Sequence, residues 1–110
     1  MHLARSLLLA AMMAASLPAQ AQSIAVVAPL SEAFAILGEQ VRAGAAAAAG
    51  SVDIELTVLD DSCTAEGGTQ AARQAVEARA VIAVGFLCTE SLEAAMPILT
   101  DAGIPTITIG

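Results

Sequence analysis

The sequence passes from strand to loop to helix within VIAVGFLCTES, residues 81–91. Residues 81–85 are almost entirely apolar, which predicts a short strand buried on both faces. A loop follows at residues 86–89, and a helical pattern runs from Ser91 to Ala102. Pro97 interrupts that pattern, and because its nitrogen cannot donate a hydrogen bond, we expect it to kink or restart the helix. This order is typical of a β-α unit in a parallel sheet.

The same alternation extends on both sides of this segment. Upstream, strands are predicted at residues 23–28 and 53–59, with a helix at residues 33–49 and another beginning after Thr64, which can cap it. Downstream, β-branched residues at 106–109 predict a fourth strand. The order β-α-β-α-β-α-β predicts an α/β fold, a parallel β-α-β sheet with right-handed crossovers and helices on both faces. The acidic residues of the second strand place it near an edge of the sheet.

Polar residues are concentrated just beyond the predicted strand ends. Parallel α/β sheets bind ligands outside the carboxyl ends of their strands, near the point where the strand order reverses. Thr89 and Ser91 bring hydroxyls and backbone amides to the start of a helix there. A ligand carboxylate could bind at such a helix start without an arginine. The alternative is that one of these hydroxyls only caps the helix, and a cap can also be shared with a ligand.

Two consecutive aspartates, Asp60 and Asp61, follow the second strand. Such a pair could bind Mg²⁺ for phosphoryl chemistry, but the chain has no lysine to contact a phosphoryl group. We therefore expect one aspartate to cap a turn and the other to be solvated.

Composition limits the partners and the chemistry. Four cationic residues stand against eleven carboxylates, for a net charge of −7, and only 2% of the residues are aromatic. We therefore expect no nucleic-acid partner and no anionic membrane partner, since both reward clustered positive charge. His2 is the only histidine, so general bases are scarce. A hydrolase remains the enzyme alternative, and we expect no enzyme activity, no metal site and no cofactor.

An N-terminal signal peptide is predicted at residues 1–21. Arg5 supplies positive charge, residues 7–17 form an apolar run too short to span a bilayer, and residues 19–21 read Ala-Gln-Ala. We expect cleavage before Gln22 and a soluble secreted product without direct membrane insertion. A buried N-terminal helix is the alternative.

The chain contains one pair of cysteines, Cys63 and Cys88, each placed just after a predicted strand. An even number of cysteines in an exported chain suits a disulfide, and strand ends at one sheet edge lie close together. Two free buried thiols are the alternative.

Four segments together resemble one known family. They are APLS at residues 28–31 with Gly38 seven positions later, DDSC at residues 60–63, GFLCT at residues 85–89 and AGIP at residues 102–105. These segments resemble the loops of periplasmic branched-chain amino acid binding proteins, the substrate-binding components of ABC transporters. The resemblance covers residues 24–110.

The resemblance implies a two-lobed type I fold that traps an amino acid by hinge closure. By this resemblance Thr89 binds the carboxylate of the ligand and Ser31 lines the cleft. Leu37 stands where relatives often place an aromatic residue, and Cys63 and Cys88 match the family's disulfide. The implied partners are a small-molecule ligand, either an amino acid or a small carboxylate, and a membrane permease.

We therefore expect residues 22–110 to form part of the N-terminal lobe of such a receptor, truncated before its second lobe. A ligand-sensing domain of the same fold, in a receptor or regulatory protein, is the alternative function.

Overall fold

The computed structural model describes residues 22–109, and the predicted signal peptide lies outside these residues. Four strands alternate with three helices. The strands are β1 (Gln22–Ala28), β2 (Ile54–Asp60), β3 (Ile82–Gly85) and β4 (Thr106–Thr108). The helices are α1 (Ala35–Ala49, after a 3₁₀ turn at Glu32–Phe34), α2 (Ala65–Glu77) and α3 (Thr89–Asp101). The predicted α/β order is confirmed.

All strand pairs are parallel, and the order across the sheet is β2-β1-β3-β4. The acidic second strand lies at the edge, as its composition predicts. The chain moves from β1 to one side of the sheet and then continues from β3 on the other side. The strand order therefore reverses between β1 and β3, the position where parallel sheets bind ligands.

Alternate residues of β1 face two different helix layers, because side chains of a strand point to opposite faces in turn. Ala25 and Val27 pack in the main core, on the face covered by α2 and α3. Ile24 and Val26 point to the other face, which α1 covers. Helices therefore lie on both faces of the sheet, as predicted.

Small side chains allow the helices of the main core to approach closely. Ala71, Ala72 and Ala75 of α2 are fully buried, and Leu99 of α3 fills the space beside them. Burial of a leucine side chain contributes about 1.5–3 kcal/mol, so Leu99 is a principal anchor of α3. This packing fixes the direction in which α3 leaves the edge of the sheet.

The sequence predicts the start of α2 correctly and the start of α3 incorrectly. The Thr64 hydroxyl accepts a hydrogen bond from the amide of Gly67 at 2.9 Å, so the predicted cap of α2 is confirmed. By contrast, α3 begins at Thr89, two residues before the predicted start, and Cys88 occupies its N-cap position. The helix continues through Pro97 to Asp101 instead of restarting there. No helix within residues 22–109 is both long and apolar enough to cross a membrane.

Candidate functional site

Three loops meet at the carboxyl edge of the sheet. We call them loop 1 (residues 29–31), loop 2 (residues 61–64) and loop 3 (residues 86–88), after strands β1, β2 and β3. Because the strands are parallel, all three loops leave the sheet on the same side. This edge is the candidate site.

The carboxylate of Asp60 joins loop 1 to loop 2. Its Oδ1 accepts hydrogen bonds from the amides of Leu30, at 2.8 Å, and Ser62, at 2.9 Å. The hydroxyls of Ser31 and Ser62 are hydrogen-bonded at 3.0 Å beside it. Burial acts to raise the pKa of Asp60, but hydrogen bonds from Leu30, Ser31 and Ser62 outweigh burial and hold the pKa below its ordinary value of 3.8. The ionised carboxylate therefore stabilises this pair of loops.

Two contacts join loop 2 to loop 3 and the start of α3. A disulfide connects Cys63 to Cys88, with their α carbons 5.3 Å apart, so the predicted pair is bonded in the structure. Behind it, the fully buried carboxylate of Asp61 accepts hydrogen bonds from the Ser91 hydroxyl and from the Cys63 amide. Both aspartates therefore bind turn amides, and the expectation that one would be merely solvated is wrong. The reason is that consecutive residues at a strand end point to opposite faces of the sheet.

Loop 3 adopts a sparsely populated backbone conformation. Phe86 has a φ of 59° although its side chain is buried, and its amide bonds to the Val27 carbonyl at 2.9 Å. A bulky residue in the left-handed region is strained, and such strain persists only where the surroundings hold it. The contacts of Phe86 with β1 thus fix the path of loop 3 before α3 begins.

A cavity of about 460 Å³ opens between the start of α1 and loop 3. Its walls are mainly apolar, with a single carboxylate, and its lining residues are Phe34, Leu37, Cys63, Leu87, Cys88 and Glu90. Ligand sites commonly combine an apolar wall with a few fixed polar groups. A second, smaller hollow of about 200 Å³ lies between α1 and the sheet and is almost wholly apolar. It reflects the small alanine side chains of α1 and lies away from the three loops.

The structure separates the two hydroxyls that the sequence places together. Thr89 is exposed in the first turn of α3, and no hydrogen bond joins its hydroxyl to another residue of 22–109. Ser91 is fully buried and donates to Asp61. Positions two apart on a helix point roughly 200° away from each other, so Thr89 and Ser91 cannot both face the cleft. Neither side chain caps α3, because Cys88 is the N-cap residue and makes no side-chain cap bond.

The other predicted residues lie at the same edge. Ser31 is half-buried in loop 1, with its hydroxyl bonded to Ser62. Leu37 is 48% exposed and forms part of the cavity wall together with Phe34, which is 50% exposed. Sequence reasoning missed Phe34, Leu87 and Glu90 as cavity residues. The spacing of Phe34 and Leu37, three positions apart at a helix start, was the only available signal for a shared face.

Any anion bound at this edge would be held by backbone amides. The first turn of α3 has backbone N–H groups that lack helical acceptors, and the helix dipole favours negative charge there. The described arginines are Arg42 and Arg73, within α1 and α2, and Arg79, before β3, so none belongs to the three loops. Residues 22–109 contain no group of three or more histidine, cysteine or acidic side chains that could hold a metal ion.

A parallel sheet with helices on both faces, and with loops converging where the strand order reverses, is characteristic of doubly wound α/β proteins. The sequence profile of one such family, the periplasmic binding proteins, matches residues 21–110. The chain belongs to the periplasmic binding protein family. Comparison with curated protein sequences gave no match.

Three solved structures illustrate the range of proteins with this fold. A solute-binding protein of an ABC transporter from Rhodopseudomonas palustris, in complex with 3,4-dihydroxybenzoic acid, has a TM-score of 0.73 and 21% identity, over 80% of this chain and 26% of its own. The branched-chain amino acid transporter substrate-binding protein LivJ from Streptococcus pneumoniae, in complex with isoleucine, has a TM-score of 0.67 and 21% identity, over 81% of this chain and 28% of its own.

The third structure is the C-domain of LpoA from Haemophilus influenzae, a regulator of PBP1A. It has a TM-score of 0.67 and 24% identity, over 81% of this chain and 28% of its own. At these identities the likeness shows the shared fold. The chain spans between 26% and 28% of the length of these three proteins.

Proposed function

We propose that this chain supplies part of the first lobe of an exported receptor that binds amino acids or similar small carboxylates for an ABC transporter. The observation that carries the proposal is the position of Thr89. Its hydroxyl is exposed at the start of α3, next to free backbone amides and an apolar cavity. A carboxylate could bind at the hydroxyl and amides while an aliphatic or aromatic group occupies the cavity.

The cavity wall favours a ligand with an apolar part. Phe34, Leu37 and Leu87 provide aliphatic and aromatic surface, and the disulfide closes one side. Burial of apolar surface stabilises a complex by roughly 25 cal/mol per Å², so a leucine- or benzoate-sized group would contribute to affinity. Ser31, in loop 1, is proposed to contact the polar part of the ligand. Ser91 is proposed to support the site from the protein interior, because its hydroxyl donates a hydrogen bond to Asp61.

A second lobe would complete the site. The edge described here covers a ligand from one side only, whereas small-molecule sites bury most of the ligand surface. In the proposed receptor a second lobe closes over the edge by a hinge motion, and the closed form delivers the ligand to a permease. The role is one of binding and release, with no catalytic group assigned. Export to the periplasm would depend on residues 1–21.

Calorimetry on the complete protein and on residues 22–110 alone tests this proposal. Leucine, isoleucine, valine and 3,4-dihydroxybenzoate should be titrated into each. We expect at least one ligand to bind the complete protein tightly and the isolated segment weakly or not at all. Micromolar binding by the monomeric segment would contradict the one-sided site, and no binding by the complete protein would contradict the proposed ligand class.

Regulation instead of transport is a second candidate function, favoured by the similarity of the fold to LpoA, a regulator. Both functions require ligand binding. They differ in the partner that the ligand-bound protein contacts. Uptake of labelled ligand by cells with and without the gene separates them. Transport requires uptake to fall when the gene is deleted, whereas regulation leaves uptake unchanged.

A further inference from the structure

Asp61 carries a buried carboxylate that the proposed ligand contacts do not use. It lies directly after β2 and is fully buried, while none of the described arginines lies in the three loops. Its oxygens accept from the Ser91 hydroxyl and from the Cys63 amide at 3.0 Å. A buried carboxyl group is costly unless hydrogen bonds compensate it. The Ser91 hydroxyl and the Cys63 amide therefore fix the position of the Asp61 carboxyl group. The same two hydrogen bonds fix the positions of Ser91 and Cys63.

Ser91 links this carboxylate to the start of α3. Cys88 and Ser91 are three positions apart and so lie on the same side of the first helical turn. Cys88 is joined to loop 2 by the disulfide, and Ser91 is joined to loop 2 by Asp61. Packing of Leu99 sets the direction of α3, and the attachments at Cys88 and Ser91 hold its first turn against loop 2. Thr89 lies between the two attachments.

We propose that Asp61 is a positioning residue for ligand recognition: through Ser91 it fixes the first turn of α3 so that the Thr89 hydroxyl and the neighbouring amides face the cleft. This inference rests on the proposed function, because it assigns Asp61 a role at the same ligand edge. The Asp61–Ser91 hydrogen bond and the disulfide both connect loop 2 to the start of α3.

Replacing Ser91 in the complete protein tests the proposal. Ser91→Ala removes the hydroxyl, and the double variant Asp61→Asn/Ser91→Ala also replaces the buried carboxyl group by an amide, as a second test if the single variant is unstable. Both should weaken binding of isoleucine or 3,4-dihydroxybenzoate, on the order of tenfold, the effect of losing one hydrogen bond. Asp61→Asn alone should lose less ligand affinity, because the asparagine amide can donate a hydrogen bond to the Ser91 oxygen. Thr100→Ala, an exposed change in the last turn of α3, is the control and should bind as wild type.

Epistasis with Thr89 distinguishes positioning from simple destabilisation. If Asp61 and Ser91 act through Thr89, Ser91→Ala should weaken binding much less in a Thr89→Ala background than in the wild type. Hydrogen exchange at the Leu92 amide, which bonds to the Cys88 carbonyl at 3.1 Å, reports the first turn of α3 without any ligand. That exchange should become faster in Ser91→Ala while exchange in α1 stays unchanged.

The outcomes separate this inference from the function on which it rests. If the wild type binds neither probe, the proposed ligand class fails, and Leu92 exchange still decides whether Asp61 orders α3. If the wild type binds and folded Ser91→Ala variants show wild-type affinity and wild-type exchange at Leu92, the positioning role of Asp61 is overturned and transport remains. Equal losses of affinity in the wild-type and Thr89→Ala backgrounds would also overturn it.

Discussion

The α carbon of Gly68 lies against the backbone of Ser91, so that a β carbon at position 68 would overlap the Ser91 carbonyl. The two residues belong to the first turns of α2 and α3, which are in direct contact at this point. The contact brings the starts of both helices to the edge where the three loops meet. Glycine at this position is therefore a requirement of packing.

Gly68→Ala should destabilise the fold by about 1–3 kcal/mol, because overpacking forces a backbone shift. Gly44→Ala is the matched control, since Gly44 lies exposed within α1 and an added β carbon would meet nothing within 4 Å. That change should stabilise the protein by about 0.5–1 kcal/mol through helix propensity. Urea denaturation of both variants measures the difference, and equal stabilities would contradict the close contact.

Thr89→Ala in the complete protein should weaken ligand binding by roughly 1.5–3 kcal/mol, the range for a hydrogen bond to a charged group. The side chain is exposed, so the free energy of unfolding should stay within about 0.5 kcal/mol of wild type. Calorimetry gives the affinity and thermal melting gives the stability. An unchanged affinity would show that Thr89 makes no ligand contact.

Loss of the Cys63–Cys88 bond should cost roughly 3–4 kcal/mol in the chain-entropy model, because the bond closes a loop of about 26 residues. Denaturation with and without reductant measures this cost, and Cys63→Ser/Cys88→Ser is insensitive to reductant and serves as the control. Non-reducing mass spectrometry should show the wild-type chain two hydrogens lighter than its reduced form. Alkylation of both thiols without reductant would contradict the bond.

Acid should release the link between loops 1 and 2. Because the pKa of Asp60 is lowered by folding, its ionised form contributes stability above 3.8, and that contribution disappears as the pH falls through the lowered pKa. The stability difference between wild type and Asp60→Asn should therefore be largest near neutral pH and vanish in strong acid. Urea denaturation from pH 7 to pH 2 tests this, with Asp53→Asn as the control for net charge. A stability difference between wild type and Asp60→Asn that grows as the pH falls would contradict this prediction.

Export should remove residues 1–21. Arg5, the apolar run and the Ala-Gln-Ala segment predict cleavage before Gln22. N-terminal sequencing of protein from the periplasmic fraction should begin at Gln22. Recovery of intact Met1 in the cytosol would contradict this prediction.

Local sequence alone determined the order and type of the elements. Apolar runs mark β1 and β3, acidic residues mark β2 as an edge strand, and Thr64 marks the start of α2. Each of these signals lies within a few residues of the feature it specifies. The meeting of the loops at one edge also follows, because parallel strands share a direction.

Only the tertiary structure decided which side chains face the ligand edge. The helix α3 includes both Thr89 and Ser91, and with roughly 100° per residue Thr89 points outward while Ser91 points into the core. Likewise, Asp60 accepts from the Leu30 amide of loop 1, whereas its neighbour Asp61 accepts from the Ser91 hydroxyl of α3. Phe34 and Leu37 form a cavity wall because α1 packs beside loop 3. Contacts between residues about 30 positions apart fix these directions, and no local pattern encodes them.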